Sequence, residues 1–213
     1  MSNMTQDEKD AEIKRLTKQI QDNADKNIPK EAPKRNVEKV GQLFFGPYVA
    51  LCKVHESLVR GLMNRGEKLE SGTANTTLAG HLADQRRYTR EDKEWYIKEF
   101  KPYVDWYVKG ALEWTGHKLE QETSFTLMDL WINYMKAHEY NPEHYHGGQL
   151  SWVIFCKTPD VKQEQKSFEG TSPPPGTLVF HYGEPQHPKW ADHTFNYEPQ
   201  EYHMWMFPAQ LRH

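Results

Sequence analysis

Apolar and aromatic residues fall into short dense runs along most of the chain, and the spacing within those runs changes from one region to the next. The segment VGQLFFGPYVALCKV at residues 40–54 is the first such run, and it predicts a strand pair or a strand that leads into a helix. After residue 119 the pattern is β-like to the end, because runs such as GQLSWVIFCKT, GTLVFHYG and EYHMWMFPA are separated by Pro, Gly and Asn. Helical segments followed by many strands predict an α+β fold whose strands form a sandwich or barrel.

One long amphipathic helix is predicted between residues 89 and 114. Its apolar side chains recur at steps of three and four residues, which places them on one face. Thr89 and Asp92 match a capping box, and Gly116 is a suitable stop signal. Pro102 falls inside the run, so either the helix is kinked there or two helices meet.

Two polar segments are expected to lie outside the packed strands. Residues 1–38 are highly charged and contain prolines at positions 29 and 33, so they predict a tail and linker that precede a domain spanning residues 39–213. The insert VKQEQKSFEGTSPPPG, residues 161–176, predicts a polar loop near a rim of the domain.

The charge balance excludes some classes of partner. With 30 acidic and 27 basic residues the net charge is -3 and the isoelectric point is near 6.4, so the chain has no basic field for general nucleic-acid binding. No run of roughly 18 apolar residues predicts a membrane span, and the charged N-terminus lacks a signal-peptide core. We therefore expect a cytoplasmic protein whose substrate is a small molecule or a protein side chain.

Histidines concentrate toward the C-terminal end of the chain, and three of them are candidate metal ligands. His144 and His146 are two residues apart, so on an extended segment their side chains project to the same face and can converge on one ion. His213 follows a strand-like aromatic run and a proline turn much later in the chain. Two histidines near a turn are more often surface or hydrogen-bonded residues than ligands, so the spacing alone indicates only a possible metal site.

Three blocks of sequence carry a resemblance to a known family. The blocks WINYMKAHEYNPEHYHGGQLSWVIF, PPPGTLVFHYGE and MWMFPAQLRH resemble motifs of the 2-oxoglutarate- and Fe(II)-dependent oxygenase superfamily, most closely those of a branch common in bacteria and phages. The resemblance covers roughly residues 40–213. It implies a double-stranded β-helix, the jelly-roll core of cupin-like proteins, flanked by N-terminal helices. It also implies Fe(II) and 2-oxoglutarate as cofactors, and a dioxygenase that uses dioxygen to hydroxylate its substrate.

The resemblance assigns roles to individual residues of this chain. The implied metal ligands are His144, His146 and His213. The residues expected to contact the cosubstrate are Asn133, Tyr134 and Ser151. Those expected to lie around the substrate are Trp131, Asn141 and Trp152.

Two features depart from the pattern of the superfamily. Most members have a carboxylate where this chain has His146, because two histidines and one carboxylate suit iron(II) with open positions; Glu143 or Asp192 is an alternative third ligand. Most members also bind the far carboxylate of 2-oxoglutarate with an Arg or Lys about ten residues beyond the distal histidine. The sequence stops at His213, so we expect it to be a fragment of a longer reading frame that lacks the last strand, while Arg212 should point away from the metal.

Two other functions are compatible with the same residues. Three histidines on a β-scaffold also suit a cupin-like metal protein that does not use 2-oxoglutarate, and a viral structural or assembly protein would use the jelly roll only for packing. Neither the substrate nor the oligomeric state is predicted by the sequence. The oxygenase hypothesis requires the pair at 144 and 146 to lie within about 8 Å of His213, since ligands share an ion at roughly 2 Å.

Overall fold

The computed structural model describes residues 38–44, 46–118, 124–167, 169–183 and 193–213. In chain order the elements are β1 (Glu38–Phe44), β2 (Tyr48–Lys53), α1 (Glu56–Gly66), β3 (Gln85–Arg87), α2 (Arg90–Thr115), β4 (Trp131–Asn133), β5 (Leu150–Ile154), α3 (Lys162–Ser167), β6 (Leu178–His181), β7 (Thr194–Tyr197) and β8 (His203–Pro208). This mixture of helices and antiparallel sheets agrees with the predicted α+β class.

A four-stranded antiparallel sheet in the order β1-β2-β8-β5 forms the centre of the fold. Successive side chains of a strand point to opposite faces, and here both faces are apolar. Ala50 and Met206 face the helices α1 and α2, whereas Leu51 and Phe207 face the second layer. That second layer is the antiparallel pair β6–β7, so the central sheet is covered on both sides.

Helix α2 confirms the predicted amphipathic helix in detail. The Thr89 side chain accepts a hydrogen bond from the backbone N–H of Asp92, and the Asp92 carboxylate accepts one from the Thr89 backbone, which is the capping box expected from the sequence. The helix ends at Gly116, whose φ of 70° lies in the left-handed region that favours glycine. Pro102 lies inside one continuous helix and does not divide it in two.

Other segments differ from the sequence-based expectations. The polar insert contains the short helix α3, because KQEQKS is composed of good helix formers. Only three residues of the β-like run before the histidine pair form a strand, β4, which pairs with β3. Residues 1–37 of the expected tail at 1–38 lie outside the described residues. Within the described part of the chain, no helix has both the length and the apolar character needed to cross a membrane.

Candidate metal centre

The segments that carry the three histidines are joined by their backbones. The N–H of His144 donates to the carbonyl of His213 at 3.0 Å, and the N–H of His213 donates back at 3.1 Å. The N–H of His146 donates to the carbonyl of Ala209 at 2.8 Å. On the opposite edge of the segment after β8, the N–H of His181 in β6 donates to the carbonyl of Arg212 at 2.9 Å. The segment after β8 is therefore held between the histidine pair and β6.

This pairing brings the imidazole rings of His144, His146 and His213 together. One nitrogen atom from each ring lies within 4.8 Å of the others, and the ring centroids are 4.5 to 5.0 Å apart. No other such cluster of histidine, cysteine or acidic side chains occurs in the described residues. Ligand nitrogens sit about 2.1 Å from a metal, so the rings must draw together by roughly an ångström to share one ion.

In two of the three rings, a hydrogen bond identifies the nitrogen that remains available to a metal ion. Nδ1 of His144 lies 2.8 Å from the carbonyl oxygen of Pro142, and Nδ1 of His213 lies 2.9 Å from that of Leu211. A carbonyl oxygen only accepts, so each Nδ1 must be the donor, and Nε2 of the neutral ring carries the lone pair. Backbone carbonyls commonly orient metal-binding histidines in this way.

The surroundings keep two of the imidazoles neutral. Burial, with a smaller contribution from His144, lowers the pKa of His146 to about 4. Burial also lowers the pKa of His213 to about 4, and the hydrogen bond to Leu211 only partly offsets that effect. Near pH 7 both rings are therefore uncharged and can donate a lone pair to a cation.

Aromatic side chains line the cluster. The ring of Phe207 lies 4.6 Å from that of His213 between centroids, and Phe180 lies 5.0 Å from Phe207. On the other side the indole of Trp131 lies 5.4 Å from the His146 ring. Phe207 and Trp131 thus each cover part of the cluster and exclude water there, which agrees with the lowered pKa values of His146 and His213.

Of the two acidic residues considered as alternative ligands, the structure describes Glu143, which does not join the cluster. Glu143 accepts a hydrogen bond from Arg212 at 3.0 Å and lies 3.9 Å from Nε2 of His181. Arg212 is largely exposed and points away from the imidazoles, as strand alternation predicted. Asp192 lies outside the described residues.

Trp152 lies elsewhere than expected. We predicted that it lines the site, but its ring packs on Phe100 and Tyr96 of α2, with centroids 4.5 and 6.1 Å apart. The alternation of β5 explains the difference, because Trp152 points toward the helices while its neighbour Ser151 points to the other face. Ser151 is buried directly opposite Phe207, on the side of the sheet where His213 packs.

Tyr134 is likewise directed away from the histidines. The Arg86 guanidinium lies 4.4 Å above its ring, and its hydroxyl packs against Gly66 at the end of α1. Tyr134 is three residues from Trp131, and an odd spacing places two side chains on opposite faces of an extended segment. The expectation that Tyr134 contacts the cosubstrate stays a prediction, and its neighbours here are Arg86 and Gly66.

Asn133 lies on the same strand face as Trp131 and directly opposite Gln85 of β3. The Oδ1 atom of Asn141 approaches the same place, where the backbone of Gly80 also meets Gln85. Gln85 was not singled out from the sequence, because it lies far from the histidine motif along the chain and only the β3–β4 pairing brings it near. No local signal marks it.

The fold and the cluster together define the class of the protein: an α+β protein whose antiparallel strands bring three histidines close enough to bind one metal ion. Residues 129–213 match the model of the family described as "Putative 2OG-Fe(II) oxygenase", and this segment contains all three histidines. The match places residues 129–213 in the 2-oxoglutarate- and Fe(II)-dependent oxygenase superfamily, which the motifs in this segment predicted. No curated protein and no solved structure matches the chain.

Proposed function

We propose that the protein is a dioxygenase that uses Fe(II) and 2-oxoglutarate to hydroxylate its substrate, with His144, His146 and His213 as the metal ligands. One observation carries the proposal: three imidazoles from the segment that matches the family converge, although His213 is distant in sequence from the other two. We further propose that the central sheet and β6–β7 belong to a double-stranded β-helix. The face-to-face packing of these two antiparallel layers supports that architecture.

The residues present fit a divalent transition metal. Imidazole nitrogen is a ligand that suits iron, and the two Nδ1 hydrogen bonds fix the orientation of the rings before the metal arrives. Iron with 2-oxoglutarate supplies the oxidising power of the reaction. The chain itself holds the metal with neutral lone pairs, and Phe207 and Trp131 keep water from its protein side.

Several surrounding residues are proposed to contact the small molecules. Ser151 and Asn133 lie on faces directed toward the cluster and remain candidates for binding the cosubstrate. Trp131 and Asn141 are candidates for the substrate side, because one contacts His146 and the other lies beside Gln85.

A metal protein that does not use 2-oxoglutarate is the second candidate. It is favoured by the ligand set, since the cluster in the described residues consists of three imidazoles and Glu143 is paired with Arg212. Three histidines also suit zinc, copper and nickel.

Metal titration of single variants tests the ligand assignment. We expect His144→Ala, His146→Ala and His213→Ala each to lower the affinity for Fe(II), measured anaerobically, or for Co(II) as an optical probe, by at least about 100-fold. His181→Ala is the matched control, because this histidine neighbours Arg212 on β6 but lies outside the cluster. Wild-type affinity in all three cluster variants would disprove the assignment.

A second measurement separates the two candidate functions. The iron-loaded protein is supplied with 2-oxoglutarate and dioxygen, and succinate is quantified. Release of succinate that depends on His213 supports the dioxygenase. Tight metal binding without any succinate supports the second candidate instead.

A further inference from the structure

The face of β3–β4 that points toward the metal centre is unusually polar for a buried surface. Gln85 is opposite Asn133 and Arg87 is opposite Trp131, so these four side chains share one face. The other face carries Arg86 and Ile132, and Ile132 packs against the main core. Because the Trp131 ring also contacts His146, the polar face begins next to the proposed metal ligands.

Four buried side-chain atoms on this face have no hydrogen-bond partner in the described structure. They are both amide atoms of Gln85, Nε of Arg87 and Oδ1 of Asn133. Gln85 is only 1% exposed, so its amide is shielded from bulk solvent. Buried polar groups are nearly always paired, because leaving them unpaired destabilises the fold. A concentration of unpaired groups in six strand residues therefore indicates a ligand that completes their hydrogen bonds.

The unpaired atoms define the chemistry of that ligand. The Gln85 amide offers both donors and an acceptor, Arg87 adds a donor and Asn133 adds an acceptor. An anion does not complete these hydrogen bonds, because it cannot donate to the two carbonyl oxygens. A group with an adjacent donor and acceptor fits, and the amide group is the commonest one in biology.

The surface around this face indicates that the amide belongs to a polypeptide. Four of the five large apolar side chains that are well exposed in the described residues lie between positions 128 and 145. Met128 is 71% exposed and lies against Gly148 beside the histidine pair, and Tyr145, between the two ligands, is 64% exposed. Methionine and tyrosine are enriched where proteins bind other polypeptides.

We propose that the face centred on Gln85 and Asn133 is the subsite that receives an amide group of a polypeptide substrate. The inference rests on the proposed function for its role in catalysis, since it places that amide beside the metal. The chain at Gly80 crosses close to Gln85, since a β-carbon at Gly80 would lie 3.0 Å from Oε1 of Gln85, and entry of a ligand requires this crossing to move aside. That crossing is held by the hydrogen bond from His81 N–H to the Tyr140 carbonyl and by stacking of their rings.

The experiment follows the side-chain NH₂ signals of the ¹⁵N-labelled, zinc-loaded full chain during titration. N-methylacetamide represents the backbone of a peptide, acetamide represents Asn or Gln side chains, and acetate and adenosine represent other ligands. We expect one or both amides to shift the Gln85 NH₂ and Trp131 indole signals, with neither acetate nor adenosine doing so. The amide that binds more tightly shows whether the subsite recognises a peptide backbone or an Asn or Gln side chain.

Two matched substitutions complete the test. Gln85→Met keeps the side-chain length but should weaken amide binding at least about tenfold, judged from the Trp131 signal. Without ligand, the melting temperature of Gln85→Met should equal or exceed that of the wild type, because unpaired polar atoms have been removed. Gln149→Met, an exposed glutamine next to the histidine pair, should behave as the wild type.

Three results would overturn the proposal: no shift with either amide, an equal shift with acetate or adenosine, or unchanged amide binding in Gln85→Met. A clear fall in the melting temperature of Gln85→Met would also overturn it, since that fall would show that the amide is paired in the folded chain. Zinc affinity is measured on the same samples, so a failure of the metal site is recognised separately from a failure of the amide subsite.

Discussion

Phe207 is predicted to position His213, and replacing it should affect metal binding more than stability. Its side chain is fully buried, and its ring contacts both His213 and Phe180. The change Phe207→Leu preserves an apolar side chain but removes the flat surface on which the imidazole rests. Met206, the preceding residue of β8, is equally buried but faces the helices.

The substitutions at these two positions are expected to affect stability and metal affinity differently. Phe207→Leu loses part of the burial and two aromatic contacts, for a cost of roughly 1–2 kcal/mol in the free energy of unfolding. Met206→Ala leaves a cavity and should cost about 2–5 kcal/mol. Replacing a residue that supports a metal ligand typically lowers metal affinity 10–100-fold. We therefore expect the less destabilised variant, Phe207→Leu, to lose Co(II) affinity by such a factor. The more destabilised Met206 variant should bind Co(II) like the wild type.

Urea unfolding of the metal-free proteins and Co(II) titration of the folded proteins measure the two quantities independently. The reasoning is refuted if metal affinity follows stability, so that Met206→Ala loses more affinity than Phe207→Leu. Unchanged Co(II) affinity in Phe207→Leu would also refute it.

Three further predictions concern the scaffold. Tyr134→Phe should leave the melting temperature and metal affinity unchanged, since the Tyr134 hydroxyl has no hydrogen-bond partner among the described residues; a loss above about 1 kcal/mol in unfolding free energy would contradict this. Thr89→Ala removes the N-cap of α2 and should cost about 1 kcal/mol, measured by urea unfolding, whereas an unchanged value would show that the capping box does not contribute. The hydrogen bond from Arg86 lowers the pKa of Asp84 from 3.8 to about 2, so this carboxylate stabilises the fold above pH 4 and its contribution is lost as the pH falls through 2. Asp84→Asn should therefore flatten the decrease in stability between pH 5 and pH 2, and an unaltered pH profile would argue against it.

The histidine cluster could be predicted because its geometry follows from local rules. A two-residue step on an extended segment places His144 and His146 on one side, and a late strand followed by a turn and His213 matches the motif that carried the resemblance. Helix α2 was equally accessible, since its cap, apolar face and terminal Gly116 are all encoded within one stretch. What these predictions share is that each depends on neighbours in the sequence or on a motif.

The misplaced residues show where local rules stop. Trp152 is an even number of residues from His146, but the turn at Gly147 and Gly148 interrupts the strand, so the alternation begins again in β5. Tyr134 adjoins Asn133 and therefore points to the opposite face, where Arg86 covers it. Sequence proximity to a motif is thus a poor guide to contact unless the strand is continuous between the two positions.

The pair β3–β4 presents a different problem, because stability does not explain it. Three residues pair with three, and pairing of this length contributes few hydrogen bonds. Within the described part of the chain, the same pair leaves the Gln85 amide and Asn133 Oδ1 buried without partners, which opposes folding. Apolar residues at both positions would remove that penalty, as Ile132 shows on the other face. A segment that carries such a penalty beside Trp131 and the histidines is more readily explained by what it binds than by how it folds.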